Sequence, residues 1–314
     1  MIVSRKGRGL NLNETEMTIG AYLSTLGKDR YEEHACLAQH CTFRIGGTAR
    51  FLLLPRTAEE LIGDIEACRK SGTRYTVIGN GSNLLFSDDG FDGAVIVTAG
   101  LDGIRQDKNE ITADAGASLT RLAAAAQSAS LGGLAFAYGI PGTVGGAVFM
   151  NAGAYGGEVS SVLRCVTAYD AEHEKILTVP ASDCAFGYRH SLFQEQPLIV
   201  LSATFSLTFE DPDAIRAEMD EYMTRRREKQ PLEFPSAGSV FKRCEGRFTG
   251  QMIEQAGLKG TRIGGAEVSE KHAGFIINRG GATARDVLDL IALIQKTLLE
   301  KEGIAPECEI RVIE

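Results

Sequence analysis

Three polar side chains stand where they could take part in catalysis. Arg189 lies between two predicted apolar strands, and its guanidinium fork could grip a carboxylate. Ser239 ends a turn of small residues, 237–239, that could present its hydroxyl without obstruction. Glu309 and Arg311 are two positions apart in a predicted strand, so their side chains would point to one face. Taken singly, each also has a purely structural interpretation: a surface arginine on a hairpin, a serine in a turn and a solvated strand face.

The densest run of small residues lies at 141–158, with six glycines and three alanines among eighteen residues. Glycine costs about 1 kcal/mol relative to alanine inside a helix, so we expect no core helix in this stretch. The run instead offers bare main chain, whose N–H groups can turn toward an anion and whose glycines can adopt positive φ angles. We therefore expect a large phosphate-bearing ligand to lie on this backbone. A flexible linker is the alternative, but apolar residues are interleaved with the glycines, which is unusual in linkers.

A second glycine-containing loop, Gly79-Asn80-Gly81-Ser82-Asn83-Leu84, follows a predicted strand at 75–78. It is not the G-x-G-x-x-G of dinucleotide-binding folds, because Leu84 replaces the third glycine and no helical pattern follows. Its backbone N–H groups and the Ser82 hydroxyl could bind a diphosphate. An ordinary turn is an equally good interpretation of these residues alone.

The composition excludes several classes of protein. A net charge of −8 argues against a nucleic-acid binder, and the run Arg225–Arg227 is interpreted as a solvated helix terminus. No apolar run approaches the ~18 residues of a membrane helix, and the N-terminus has no apolar core of a secretory signal. The seven cysteines are scattered and include no C-x-x-C pair, which favours free thiols in a reducing cytoplasm and argues against a metal site.

The pattern of elements predicts mixed helices and strands from Cys41 onward. The first forty residues are polar, with one short helix expected near 18–26. Thr57, Ser118 and Thr283 are predicted N-caps of helices that end near 72, 129 and 303. Two more helices are predicted, at 213–229 and near 252–257. Strands are predicted at 51–54, 75–78, 93–98, 110–115, 162–169, 176–179, 198–209, 263–268, 274–278 and 308–313.

Eight motifs then occur in one order across roughly 42–313. They are T-F-R-I-G-G (42–47), V-I-G-N-G-S-N-L-L (77–85), I-P-G-T-V-G-G-A-V-F-M-N-A-G-A-Y-G-G-E (140–158), F-G-Y-R-H-S (186–191), A-G-S-V-F-K (237–242), L-K-G (258–260), G-G-A-E-V-S-E-K-H-A-G-F-I-I-N (264–278) and E-C-E-I-R (307–311). Together they closely resemble the UDP-N-acetylenolpyruvoylglucosamine reductase family. The segment 189–199 has no room for the long tyrosine-bearing insertion of one subclass, so the chain is similar to the shorter, type II form.

The resemblance implies an α+β fold, with a two-subdomain FAD-binding fold of the vanillyl-alcohol-oxidase (PCMH) type and a smaller α/β substrate-binding domain. The expected boundaries are an N-terminal extension at 1–40, FAD-binding subdomains at 41–100 and 101–228, a substrate-binding domain at 229–305 and a C-terminal strand at 306–314. It also implies a set of residues that contact FAD: Gly79, Asn80, Gly81, Ser82, Asn83, Leu84, Pro141, Gly142, Thr143, Gly145, Gly146, Ala147, Asn151 and Gly153.

The family's reaction implies roles for the three polar side chains. NADPH reduces the flavin, and the enolpyruvyl ether of UDP-N-acetylglucosamine then takes a hydride and a proton. By this resemblance Arg189 pairs with the substrate carboxylate, Ser239 delivers the proton, and Glu309 lies on the carboxylate side as a protonated or hydrogen-bond-donating group. Pro306 and Cys308 depart from the family pattern, which leaves Glu307 as the alternative to Glu309. The implied substrate-binding residues are Tyr188, Lys229, Lys242 and His272.

Two other functions compete with this interpretation. Another PCMH-type flavin oxidoreductase, acting on a small alcohol or sugar, would be expected to carry a covalent-flavin histidine or cysteine at 79–89, and neither is present. A nucleotide-sugar binding module without chemistry would not need Arg189, Ser239 and Glu309 together. No G-x-S-x-G elbow surrounds the serine, which argues against a hydrolase. The expected partner is the small-molecule substrate, with no nucleic acid, membrane or identified protein.

Overall fold

The computed structural model describes residues 18–244 and 246–314. The first unit contains a four-stranded sheet in the order β1-β2-β5-β3, in which β1 is antiparallel to β2 while β2, β5 and β3 run parallel. Strand β4 is not part of this sheet and pairs with residues 311–313 near the C-terminus. The elements are α1 (Ile19–Leu23), β1 (Tyr31–Cys36), β2 (Thr48–Leu53), α2 (Ala58–Lys70), β3 (Tyr75–Ile78), β4 (Leu84–Phe86) and β5 (Phe91–Val97).

Strand β1 corrects the expectation that an extension runs to residue 40 and that order begins at Cys41. It pairs with β2 from Tyr31 to Cys36, so this segment belongs to the first sheet. The strand lies at the sheet edge, and Ala35 is its one buried residue. Edge strands often carry charged side chains. Strand β1 therefore lacks the alternating apolar residues from which a strand is predicted in the sequence. The predicted cap Thr57 is confirmed: its hydroxyl accepts from Glu60 N at the start of α2.

The second unit is built on an antiparallel sheet in the order β12-β11-β13-β7-β6. Its helices and this sheet enclose a separate hydrophobic core, which includes Phe205, Leu122 and Val148. The elements are β6 (Ile104–Asp107), β7 (Glu110–Asp114), α3 (Leu119–Ser128), β8 (Leu131–Gly132), α4 (Val144–Met150), β9 (Gly153–Ala154), β10 (Gly157–Glu158), β11 (Leu163–Asp170), β12 (Lys175–Pro180), β13 (Leu198–Ser206), β14 (Thr208–Phe209) and α5 (Pro212–Lys229).

Helix α4 shows that the expectation of no core helix at 141–158 was wrong. Val144, Ala147 and Val148 are buried, and the Thr143 hydroxyl accepts from Gly146 N at the helix start. A Cβ atom on Gly145 would lie 3.1 Å from the Ala115 Cβ, so glycine allows the helix to approach its neighbour closely. Tertiary packing therefore overrides the weak helix propensity of this segment.

The third unit has a sheet in the order β15-β18-β17-β16, with two helices. The elements are β15 (Ser236–Ser239), α6 (Thr249–Gln255), β16 (Arg262–Ile263), β17 (Ala266–Val268), β18 (Phe275–Asn278), α7 (Ala284–Glu302) and β19 (Arg311–Ile313). The predicted capping box of Thr283 and Asp286 is confirmed, and Gly303 ends α7 at a φ of 71°. Buried side chains of this unit and the first unit form one continuous core, and a smaller cluster packs the first unit against Tyr169 and Leu201 of the second unit.

The first and third units are also joined by polar contacts. The Asp88 carboxylate accepts from Ala284 N and Arg285 N at the start of α7. Strand β19 pairs in parallel with β4, directly after the 79–84 loop. In the described ranges no helix is both long and apolar enough to cross a lipid bilayer.

Candidate active site

A cavity of about 1990 Å³ lies where the three units meet. Ordinary small-molecule pockets occupy about 300–1,000 Å³, so this cavity has room for two ligands side by side. Its walls combine the 79–84 loop of the first unit, the start of α4 from the second unit and β15 from the third. Arg189, Ser239 and Glu309 all line it.

The two glycine loops form one continuous wall of this cavity. Asn80 Nδ2 donates to the Pro141 carbonyl at 3.2 Å, and a Cβ on Gly79 would lie 2.2 Å from Thr143 Oγ1. Gly81 adopts a φ of 61°. This wall has little side-chain bulk, which suits a ligand that lies on the backbone, as a flavin dinucleotide would. The expected cofactor residues that line the cavity are Gly79, Asn80, Gly81, Ser82, Asn83, Leu84, Pro141, Gly142, Thr143, Gly145, Gly146, Ala147 and Gly153.

Arg189 and Glu309 form an ion pair inside the cavity. Arg189 Nε donates to Glu309 Oε1 at 2.6 Å, and another guanidinium nitrogen donates to the Gly153 carbonyl at 3.2 Å. Both side chains are largely buried. Arg189 has a φ of 55°, a backbone conformation that is uncommon for residues other than glycine. The local chain is thus held in a turn that aims the guanidinium into the cavity.

The Glu309 carboxyl is held toward its neutral form. Burial raises its pKa, and the attraction of Arg189 only partly offsets that effect. Glu309 accordingly retains a proton to higher pH than an exposed glutamate. Glu307, the alternative, has an exposed side chain that pairs with Lys242 Nζ at 2.6 Å. The structure therefore places Glu309, and not Glu307, beside the arginine.

Ser239 is brought next to Glu309 by main-chain bonds. Glu309 N donates to the carbonyl of Val240, the residue after the serine, at 2.7 Å. Asn83 Nδ2 donates to the Glu309 carbonyl at 3.0 Å, which ties the same segment to the 79–84 loop. Among the described residues no hydrogen-bond partner is found for the Ser239 hydroxyl. Ser239 thus lines the same cavity as Arg189, and the residue after it is bonded to Glu309, the carboxyl of raised pKa.

Comparisons with known proteins identify the family of this chain. Residues 230–313 match the C-terminal domain of UDP-N-acetylenolpyruvoylglucosamine reductase, and residues 49–177 match an FAD binding domain. The UDP-N-acetylenolpyruvoylglucosamine reductase of Clostridium novyi is 43% identical over 92% of this chain and 94% of its own. The chain belongs to the UDP-N-acetylenolpyruvoylglucosamine reductase family.

Further relatives of the family support the same assignment. The Lactobacillus gasseri protein of that name is 50% identical over 90% of this chain and 93% of its own. The crystal structure of the Thermus caldophilus enzyme superimposes with a TM-score of 0.78 at 33% identity, covering 91% of this chain and 99% of that one. The expected fold, an FAD-binding PCMH-type fold with a further domain, is thereby confirmed.

The residues expected to bind the reductase substrate do not all reach the cavity. Tyr188, Lys229 and His272 line it. Burial lowers the pKa of His272, whose Nδ1 accepts from Gly274 N at 3.1 Å. Lys242, which was expected with them, is not part of the lining, and its ammonium pairs with Glu307. Its two neighbours in the chain, Phe241 and Arg243, line the cavity instead.

Asn151 also departs from the expected cofactor set. Its side chain is buried and does not reach the cavity of this reductase family member. It contacts the main chain on either side of α4 instead, at Gly187 and Ser160.

Two arginines of the cavity were not predicted as site residues. Arg226, interpreted from the sequence as part of a solvated helix terminus, is buried, and its Nε has no hydrogen-bond partner in the described ranges. Burial lowers its pKa. Arg311 stacks over Phe149 at 4.6 Å from the ring centre, and burial lowers its pKa as well. The sequence signal was present for Arg311 in its two-residue spacing from Glu309, whereas nothing distinguished Arg226 from its neighbours.

Proposed function

We propose that the protein is an FAD-dependent, NADPH-using reductase that converts UDP-N-acetylglucosamine enolpyruvate to UDP-N-acetylmuramate in peptidoglycan precursor synthesis. The single observation that carries the proposal is the meeting of Arg189, Ser239 and Glu309 in one cavity, beside two loops of bare main chain. Bound FAD, once reduced by NADPH, supplies a hydride to the methylene carbon of the enolpyruvyl ether. We place this chemistry in the cytoplasm, since the chain carries seven free thiols.

Arg189 binds the carboxylate of the enolpyruvyl group. Hydride addition to the neighbouring double bond drives negative charge into that carboxylate, and a donor fixed there is worth about 3 kcal/mol in the transition state. Only part of the guanidinium is engaged by Glu309 and Gly153, so N–H groups remain for a substrate. The hydrogen bond from Arg189 Nε to Glu309 Oε1, which a protonated Glu309 can also accept, holds the guanidinium in the cavity.

Glu309 acts beside this carboxylate as a neutral acid. Two bare carboxylates at one arginine would repel each other, and a protonated Glu309 avoids this while donating a hydrogen bond. Its burial raises its pKa, so Glu309 favours that protonated form more than an exposed glutamate does at the same pH.

Ser239 delivers the proton to the carbon next to the one that receives hydride. A serine hydroxyl is a weak acid, so it needs a strongly basic partner and fixed geometry, and positioned acid catalysis contributes about 10²–10⁴-fold. Its hydroxyl is free to turn toward the substrate, since no hydrogen bond to a described residue holds it. Main-chain bonds between Val240 and Glu309 fix the strand that carries it.

The remaining cavity residues divide between two ligands. We assign the 79–84 loop and the lining residues of 141–153 to FAD. Tyr188 and His272 lie on the substrate side, and Lys229 with buried Arg226 supplies positive charge for the diphosphate.

An anaerobic flavin titration tests the proposal. The purified protein should be yellow, bleach when NADPH is added, and regain colour when the enolpyruvyl nucleotide follows. UDP-N-acetylglucosamine, which lacks the double bond, serves as the control and should leave the flavin bleached. Recolouring only with oxygen, with release of peroxide, would instead indicate an oxidase of small alcohols or sugars, and a protein without flavin would indicate a binding module.

A further inference from the structure

Asn151 is a buried amide that joins two segments of the second unit. It is 1% exposed and ends α4 in the left-handed conformation, with a φ of 42°. Its Nδ2 donates to the Gly187 carbonyl at 3.0 Å, and its Oδ1 accepts from Ser160 N at 3.0 Å. Both ends of the amide are therefore satisfied by main chain on either side of the helix.

The Gly187 carbonyl belongs to the turn that presents Arg189. Gly187 and His190 exchange two main-chain hydrogen bonds, at 3.1 and 3.2 Å, and Arg189 lies between them with a φ of 55°. A turn closed in this way moves as a unit, so a contact at Gly187 also fixes the main chain of Arg189.

Two further side chains fasten the same turn to the same end of α4. The Ser191 hydroxyl donates to the Phe149 carbonyl at 2.7 Å. Gln194 Nε2 lies within hydrogen-bond distance of both the Phe149 carbonyl, at 2.8 Å, and the Arg189 carbonyl, at 3.0 Å. The segment 187–194 is thus attached by hydrogen bonds to the C-terminal end of α4, whose start lines the cavity.

We propose that Asn151 is a positioning residue for Arg189, which fixes the turn that carries the guanidinium relative to α4. This inference rests on the proposed function, because it takes Arg189 as the group that binds the substrate carboxylate. The left-handed conformation alone explains why an asparagine could stand at this position. It does not explain why the side chain should donate to Gly187, and this second bond is the one that carries the inference.

Two variants separate the backbone role from the side-chain role. Asn151→Gly retains the left-handed conformation at no steric cost and removes both side-chain bonds. Asn151→Asp keeps an acceptor for Ser160 N, but its carboxylate has no donor for the Gly187 carbonyl. Gln194→Ala is a milder variant at an exposed side chain and removes a second attachment of the turn. Retained flavin absorbance and melting temperature check that each variant is folded.

The deciding measurement compares two nucleotides by titration of the oxidised holoenzyme. We expect both Asn151 variants to bind the enolpyruvyl nucleotide at least about tenfold more weakly and to bind UDP-N-acetylglucosamine, which has no carboxylate, as the wild type does. The rate of flavin reoxidation by the enolpyruvyl nucleotide should fall by up to about 100-fold, as a misplacement near 1 Å can cause. Gln194→Ala should show the same pattern to a smaller extent.

A double variant provides the second readout. In an Arg189→Ala background, Asn151→Gly should cause no further loss, because the two residues act through one contact with the substrate. Wild-type binding and reoxidation in Asn151→Gly would overturn the inference and leave the residue as a helix terminator. Equal weakening of both nucleotides, or loss of flavin, would also overturn it. If the wild type itself is not reoxidised by the enolpyruvyl nucleotide, the proposed function fails instead.

Discussion

Arg189 Nε and Glu309 Oε1 lie 2.6 Å apart although 120 residues separate them in the chain. The arginine comes from a turn of the second unit and the glutamate from the segment that leads into β19. Their pairing joins the second unit to the C-terminal domain that the family model defines. The predictions below depend on this junction and on the cavity around it.

Ser239→Ala should separate the two half-reactions. Flavin reduction by NADPH does not require the hydroxyl and should remain near the wild-type rate. Reoxidation by the enolpyruvyl nucleotide should fall by about 10²–10⁴-fold, because the proton donor is lost. Ser182→Ala, at an exposed serine that does not line the cavity, is the control and should change neither rate appreciably. Stopped-flow absorbance of the flavin measures both steps, and an undiminished reoxidation rate in Ser239→Ala would contradict the assigned role.

The reoxidation rate should depend on the protonation of Glu309. Since burial raises the pKa of this carboxyl and the neutral form is the one required, the rate should fall as pH rises through that pKa. Glu309→Gln keeps a hydrogen-bond donor without a titratable proton, so its profile should be flat over this limb. The comparison requires pH–rate profiles of both proteins. An unchanged limb in Glu309→Gln would assign the titration to another group.

Lys229 and Lys242 should differ, although the sequence placed both at the substrate. Lys229 lines the cavity, and Lys229→Ala should raise the KM for the nucleotide about tenfold through loss of a charged contact to the diphosphate. Lys242 pairs with Glu307 outside the cavity lining, so Lys242→Ala should leave KM within about twofold, as for a surface ion pair. Steady-state kinetics on the two variants decide the matter, and a large effect at Lys242 would mean that its ion pair opens toward the substrate.

Two neighbouring glycines of α4 should respond in opposite directions to alanine. A Cβ on Gly145 would lie 3.1 Å from the Ala115 Cβ and 3.2 Å from its carbonyl, so Gly145→Ala should lower the free energy of unfolding by about 1–3 kcal/mol. At Gly146 the nearest atom is Thr143 Oγ1, at an ordinary 3.6 Å, and alanine should stabilise the flavin-free protein by up to about 1 kcal/mol. Urea denaturation of the flavin-free variants measures both. Equal effects at the two positions would mean that close packing does not decide them.

Structure that depends on neighbouring residues could be predicted from the sequence, whereas packing between distant parts of the chain could not. The caps Thr57, Ser118 and Thr283 were predicted because a capping side chain and its amide partner lie within three residues. The edge strand Tyr31–Cys36 was missed because a single buried residue gives no alternating pattern. Helix α4 was missed because its glycines are favoured by a neighbouring chain segment that the local sequence does not reveal.

The candidate site shows the same division. The resemblance supplied Arg189, Ser239 and Glu309, and the structure brings all three to one cavity. Glu307 could be set aside only when its pairing with Lys242 was visible. The burial of Arg226 depends on side chains far away in the chain, which no spacing rule predicts.

The hydrogen bond from Asn83 to the Glu309 carbonyl, together with the parallel pairing of β4 and β19, has a thermodynamic consequence. The 79–84 loop would hold the dinucleotide, and the Glu309 carboxyl would face the sugar nucleotide. Both lead into the paired strands β4 and β19, so a ligand that orders one of the two segments favours the ordered conformation of the other. Such coupling is reciprocal. Saturation with the nucleotide sugar should therefore tighten binding of the prosthetic group, and a protein stripped of that group should bind the nucleotide sugar more weakly.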